Sequence, residues 1–206
     1  MSHKRQKRLI PALLAVLASA SPGAANAAGV IFNNLFATSG GADSFVAFGP
    51  LAGAFTASGV LLTDVKLRLE GDNQTSGSIT VELFDDAGNE PGNLVGMVGV
   101  LPDSSLTTPS SIVDFPVELP ITAGARYWIK VTAANASSAM WATDIDYNGV
   151  GVPGEFILNS GTVYDITNEA GVAYQMQLSS VSEPGTLSLL GICLAGLGFK
   201  ITRKQP

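Results

Sequence analysis

Histidine and cysteine are almost missing from this chain of 206 residues: His3 and Cys193 are the only ones, and both lie close to an end. The long stretch between them has no imidazole to act as general base for a serine or cysteine nucleophile. It has no His/Cys set to hold zinc. It can form no internal disulfide, so a body of about 150 residues must be held by its core alone, which that length allows.

Positive charge is the second scarcity. Of the 11 Lys and Arg residues, Lys4, Arg5, Lys7 and Arg8 crowd the first eight positions, and Lys200, Arg203 and Lys204 fall in the last seven. Between Ala28 and Val181 only Lys66, Arg68, Arg126 and Lys130 face sixteen acids, a net charge of −12. A phosphate backbone repels such a body, which argues against nucleic acid as a partner. Gly (23) and Pro (11) make up about one residue in six, below the level of a low-complexity chain but enough for many turns.

The two ends are organised differently from the middle. Met1 to Arg8 is basic and polar, Leu9 to Leu17 is apolar apart from Pro11, and small residues follow up to Ala25-Asn26-Ala27. A basic segment, a short apolar segment and an A-x-A site, in that order, predict a secretory signal peptide over residues 1–27. Ala25 and Ala27 are the small residues the signal peptidase reads, and Ala28 becomes the mature N-terminus. The apolar run is too short for a comfortable span, which disfavours an uncleaved anchor.

At the other end, Ser182-Glu183-Pro184-Gly185 is followed by the apolar stretch Thr186–Phe199 and then Lys200, Arg203 and Lys204. A helix over about 186–201 would be roughly 24 Å long, just short of a typical hydrocarbon core. Snorkelling Lys and Arg side chains, or a thin membrane, would close the gap. Basic residues after the span predict a cytoplasmic C-terminus, with the body outside the membrane.

This tail resembles the PEP-CTERM sorting signal of exported bacterial proteins. The matching residues are Glu183-Pro184-Gly185-Thr186, the Leu/Gly-rich stretch with Gly191, Ala195, Gly196 and Gly198, and the closing basic cluster. Ser182 stands where the family's first Pro usually sits. The resemblance implies handling by an exosortase, a membrane-embedded, transpeptidase-like enzyme. It cuts near the Pro-Glu-Pro position and releases or re-anchors the body at the cell surface. The reactive cysteine belongs to that enzyme, and Cys193 reads as a small apolar helix residue. A plain C-terminal membrane anchor is the alternative.

The middle alternates with period two. Val65, Leu67 and Leu69 alternate with Lys66, Arg68 and Glu70; Ile79, Val81 and Leu83 with Thr80, Glu82 and Phe84; Tyr127, Ile129 and Val131 with Trp128, Lys130 and Thr132. Each run reads as a half-buried antiparallel strand. Further strand candidates are Ser44–Phe48, Leu94–Val100, Ile112–Val117, Met140–Asp144, Phe156–Leu158 and Ala173–Leu178. Turn residues punctuate them at Gly71-Asp72-Asn73, Asp86–Gly92, Pro102-Asp103, Thr122-Ala123-Gly124 and Asn148-Gly149. The expected fold is all-β, an antiparallel β-sandwich of jelly-roll type over residues 28–181. A signal peptide and a single transmembrane helix within the sorting segment 182–206 flank it.

The body is similar, more loosely, to exported bacterial β-sandwich modules called choice-of-anchor domains. The similarity rests on Leu61–Leu69 with Ser78–Phe84, on the turn Asp86–Leu94, and on Ala123–Ile129 with Trp141. It implies fold and export, and no activity.

Three kinds of candidate site can be set against plain structural roles. The pair Asp144 and Asp146 would share a strand face about 7 Å apart, a spacing that glycoside hydrolysis permits. Asp85, Asp86, Asn89 and Glu90 cluster in one turn, where hard oxygen ligands suit Ca²⁺, although turn chemistry explains them without a metal. Trp128, Trp141 and Tyr147, with Tyr164, could stack on sugars, although large aromatics in a sandwich are ordinarily core. The glycosylation-type triplets at Asn73 and Asn135 read as loops.

The expected protein is a non-enzymatic, exported surface or matrix protein, with signal peptidase and exosortase as processing partners and no cofactor. It passes through a membrane-anchored stage. A carbohydrate-binding module of the extracellular polysaccharide layer is the second reading, and a polysaccharide hydrolase the third.

Overall fold

Val65, Leu67 and Leu69 are fully buried, and the Lys66 and Arg68 that separate them are half-buried on the opposite face. Ile79, Val81 and Leu83 are likewise sealed, as are Ile129 and Val131, with Tyr127 nearly so. The period-two pattern thus marks one inward face on each of three strands. These positions come from a computed structural model, which describes residues 28–71, 76–135, 138–167 and 172–182. All of them lie in the unit Ala27–Glu183.

In chain order the elements are β1 (Gly29–Asn33), β2 (Ser39–Ser44), a one-turn helix α1 (Phe45–Phe48), β3 (Leu51–Thr56), β4 (Leu61–Glu70), β5 (Ser78–Asp86) and β6 (Pro91–Pro102). A 3₁₀ turn at Asp103–Ser105 leads to β7 (Ser111–Pro120), β8 (Arg126–Ala134), β9 (Met140–Asp144), β10 (Phe156–Asn159), β11 (Thr162–Asp165), β12 (Ala173–Tyr174) and β13 (Met176–Val181). They form two sheets in which every pairing is antiparallel. One sheet runs β1-β13-β4-β9-β12, with β7 also on β4 and β2 also on β9; the other runs β11-β10-β3-β8-β5-β6.

One apolar cluster drawn from both sheets fills the space between them. At about 25 cal/mol per Å² of apolar surface, each sealed Leu or Ile contributes roughly 1.5–3 kcal/mol. With no cysteine between His3 and Cys193, that burial is the main source of stability. The sheets close along one edge, where β6 meets β7. A Cβ on Gly96 would fall 2.5 Å from the Leu119 side chain, and one on Gly99 2.5 Å from the Phe115 ring, so each glycine leaves room for a side chain of β7.

The expected strand Ser44–Phe48 is replaced by the end of β2 and the helical turn α1. Ser44 caps that turn, its Oγ accepting from the N–H groups of Val46 and Ala47 at 3.3 Å. The helical turn buries Phe45 and leaves Val46, Ala47 and Phe48 exposed, whereas an extended strand would turn Ala47 to the same side as Phe45. Ala173–Leu178, expected as one strand, is broken at Gln175. The Gln175 N–H turns to Ala142 O, while its carbonyl accepts from Arg68 N and from Trp141 Nε1.

The expected transmembrane helix over 186–201 and the signal peptide lie outside the described residues. Among the described residues, no helix is long and apolar enough to cross a membrane.

Candidate functional site

The acidic turn between β5 and β6 is a tight hairpin in which Gly88 and Asn89 both take positive φ (76° and 70°). Asp85 and Asp86 are adjacent strand residues, and their carboxylates serve different partners. Asp85 accepts from the backbone N–H and the side-chain amide of Asn93. Asp86 accepts from the Trp128 indole at 2.8 Å and from the N–H of Asn89 at 3.2 Å. Asn89 Oδ1 accepts from Arg126 at 2.6 Å, and the Glu90 carbonyl accepts from Ala87 N. The side-chain oxygens of Asp85, Asp86 and Asn89 thus each serve hydrogen bonds of the hairpin or of β8. Among the described residues no group of three acidic, His or Cys side chains is placed to hold a metal.

The hub of this region is Arg126, which the sequence analysis singled out for no site role. Its Nε pairs with Glu155 at 2.8 Å, a second nitrogen reaches Asn89 and the third reaches Gly154 O. The guanidinium lies 4.6 Å from the centre of the Phe156 ring. It ties the β5–β6 turn to the loop before β10.

Trp128 does stand on the outer face of its sheet, as alternation predicts, but that face is not wet. Ala52, Ala54, Phe84, Phe156, Leu158 and Val163 pack around it and leave it 0% exposed. Trp141 is also 0% exposed, stacked on Tyr174 with 4.6 Å between ring centres. Neither indole offers a face to a sugar. Tyr147 is half-buried against the main core at positive φ (53°), and Tyr164 is half-buried on β11.

Asp144 and Asp146 do not share a strand face, because β9 ends at Asp144. The Asp144 carboxylate is fully buried; it accepts the N–H of Asp146 at 2.7 Å and the Asn34 amide at 3.2 Å. Asp146, in the turn beyond, accepts the N–H of Thr38 at 2.8 Å, and that bond lowers its pKa. Asp146 lines a hollow with Asn33, Phe36, Ala37 and Asn148, while Asp144 is sealed beneath the turn and does not reach it.

A last site lies at the end of β13, within the described body. β13 is held on both sides: Ser180 opposes Gly29 of β1 and Leu62 of β4, and Val181 opposes Leu61. Val60 donates its N–H to Val181 O at 2.8 Å, and Val60 O in turn accepts from Ile121 at 3.0 Å. Ser180 is buried, and Ser182, the next residue but one, is exposed. Ala28, exposed just ahead of β1, is one residue from the Gly29–Ser180 pair. Of the expected processing residues, Ala28 and Ser182 are described; Ala25, Ala27, Glu183, Pro184 and Gly185 lie outside the described residues.

The described residues define an all-β, two-sheet body whose last described strand, β13, overlaps in sequence with the start of a signal. That signal is a PEP-CTERM protein-sorting motif, matched over residues 180–204. It marks an exported protein handled by an exosortase, with membrane-associated processing toward the cell surface. A comparison with curated proteins finds no match to the chain.

Proposed function

We propose that this chain is a non-enzymatic protein of the bacterial cell surface or extracellular matrix, sorted there by an exosortase. The observation that carries this reading is the sorting motif at 180–204, continuous with the last strand of a folded β body. Signal peptidase removes residues 1–27, the segment at about 186–201 holds the chain in the membrane with its C-terminus in the cytoplasm, and the exosortase then frees or re-anchors the body. The body is a jelly-roll-like sandwich of the choice-of-anchor kind. Its charge of −12 between Ala28 and Val181 keeps like copies soluble and apart.

The structural work done by Asp85, Asp86, Asp144 and Asp146 supports reading these acids as scaffold. The burial of Trp128 and Trp141 supports reading them as core, which weakens the carbohydrate-binding alternative through those rings. The test is fractionation of cells with and without an exosortase. The expected result is a body outside the cell in the first and a membrane-bound, tail-bearing protein in the second. A body retained in the cytoplasm of both strains would contradict the proposal.

A further inference from the structure

The sorting motif does not begin after the folded body; its first two residues are part of it. The match starts at Ser180, and β13 runs to Val181. Ser180 lies between Gly29 and Leu62, in the middle of three hydrogen-bonded strands. The last rung is closed by the bond from Val60 N to Val181 O. The chain passes this rung tightly against Gly59, where even a methyl group would come within 2.5 Å of Val181 O.

From Val181 to Pro184 the chain advances three residues, at most about 10 Å even when fully extended. The sandwich is itself two sheets thick, with about 10 Å between the sheets. An enzyme that grips extended peptide on both sides of a bond near Glu183–Pro184 meets the end of the sandwich within that reach. The three residues that precede Glu183 are Ser180 to Ser182, and two of those three are strand residues.

Resting on the sorting reading above, we propose that the end of β13 is a latch on the sorting site. The exosortase gains its full grip only when the Ser180–Val181 rung leaves β1 and β4. The enzyme breaks the peptide bond; the latch governs access to it. Processing is therefore paced by local opening of one strand end, and a body held more firmly is cut more slowly. The latch also involves the other end of the body, because Gly29 of β1 is the partner of Ser180.

The test follows processing of the full chain in cells that contain the exosortase, by pulse-chase and intact mass, beside an unrelated PEP-CTERM substrate as control. Three variants are compared with the parent: a four-residue Gly-Ser spacer inserted after Ser182; the pair Leu61→Cys and Val181→Cys, which crosslinks the last rung in an oxidising compartment; and the spacer combined with the crosslink. Opposed residues of antiparallel strands are close enough for such a bond. The latch predicts processing about fivefold to tenfold faster with the spacer, since opening at least one strand hydrogen bond is no longer needed. It predicts slowed processing with the crosslink, and restored processing when the spacer accompanies the crosslink. Parent-like rates in all three variants would overturn the latch and leave the sorting reading standing. No processing of any form, the parent included, while the control substrate is cut, would overturn the sorting reading and the latch with it.

Discussion

Gly29 and Ser180 face one another across β1 and β13. The first sits one residue inside the expected mature N-terminus, and the second is where the sorting motif begins. The two places where the chain is expected to be cut are thus tied to one antiparallel pair at one end of one sheet. The fold delivers both ends of the body at neighbouring strand positions.

The buried tryptophans give a direct optical prediction. Trp128 and Trp141 are both fully enclosed, so emission should be blue-shifted and resist quenching by iodide. Titration with polysaccharide fragments should leave the emission unchanged. A sugar-dependent shift would return one of these rings to the list of ligand contacts.

Lys66 bridges two carboxylates, Asp64 at 3.1 Å and Asp114 on the neighbouring strand. Burial raises the Asp64 pKa, while hydrogen bonds from Asp64 and Lys66 lower that of Asp114. Lys66→Met should cost about 1 kcal/mol at pH 7, where the two acids face each other without a cation. The deficit should shrink as pH falls through the carboxylate range, because a proton on Asp64 replaces the lost charge; a group whose folded pKa is raised gains stability on the acid side. Urea melts of parent and variant at pH 7 and near pH 4.5 measure the difference.

Tyr174 titrates well above an ordinary tyrosine, chiefly because it is buried and secondarily because Asp43 lies beside it. Its hydroxyl donates to Asp43 at 3.1 Å and accepts from Asn159 at 3.0 Å. Stability from this raised pKa is complete below about pH 10 and is lost as pH rises further, since the unfolded tyrosine ionises first. Tyr174→Phe should cost about 1 kcal/mol at pH 7 and soften the alkaline decline. Thermal melts between pH 8 and 11 test both parts.

How much of this was legible in the sequence depended on the strand. β4, β5 and β8 each bury one face, so their side chains alternate and could be read. β3 was missed because Leu51–Phe55 is buried on both faces, so it carries no alternation. β2, Ser39–Ser44, was missed because it holds two glycines and no large apolar residue; its pairing with β9, rather than its side chains, makes it a strand. The candidate residues were found as residue types but not as neighbours. Asp144 and Asp146 are separated by a strand end, and the Arg126–Glu155 pair joins positions 29 apart, which no local pattern announces. The sorting signal was legible because it is linear, whereas its anchorage by Gly29 and Val60 depends on contacts from residues distant in sequence.

Arg126→Ala should destabilise the body by about 3 kcal/mol, because it leaves the 4%-exposed Glu155 charged and without its cation. Adding Glu155→Gln should recover part of that loss, since the neutral amide keeps a partner in Thr56. Equal stability of the single and double variants in a denaturant series would show that the buried charge is not the cause.

The central claim is that the chain is cut at both ends and that the second cut needs an exosortase. The most direct measurement is the intact mass of the protein recovered from its host, with a parallel sample lacking the exosortase. The account predicts loss of residues 1–27 in both samples, and loss of the segment beyond about Pro184 only where the enzyme is present. A mass that retains Leu187–Phe199 in both samples would contradict it and leave a plain membrane-anchored protein.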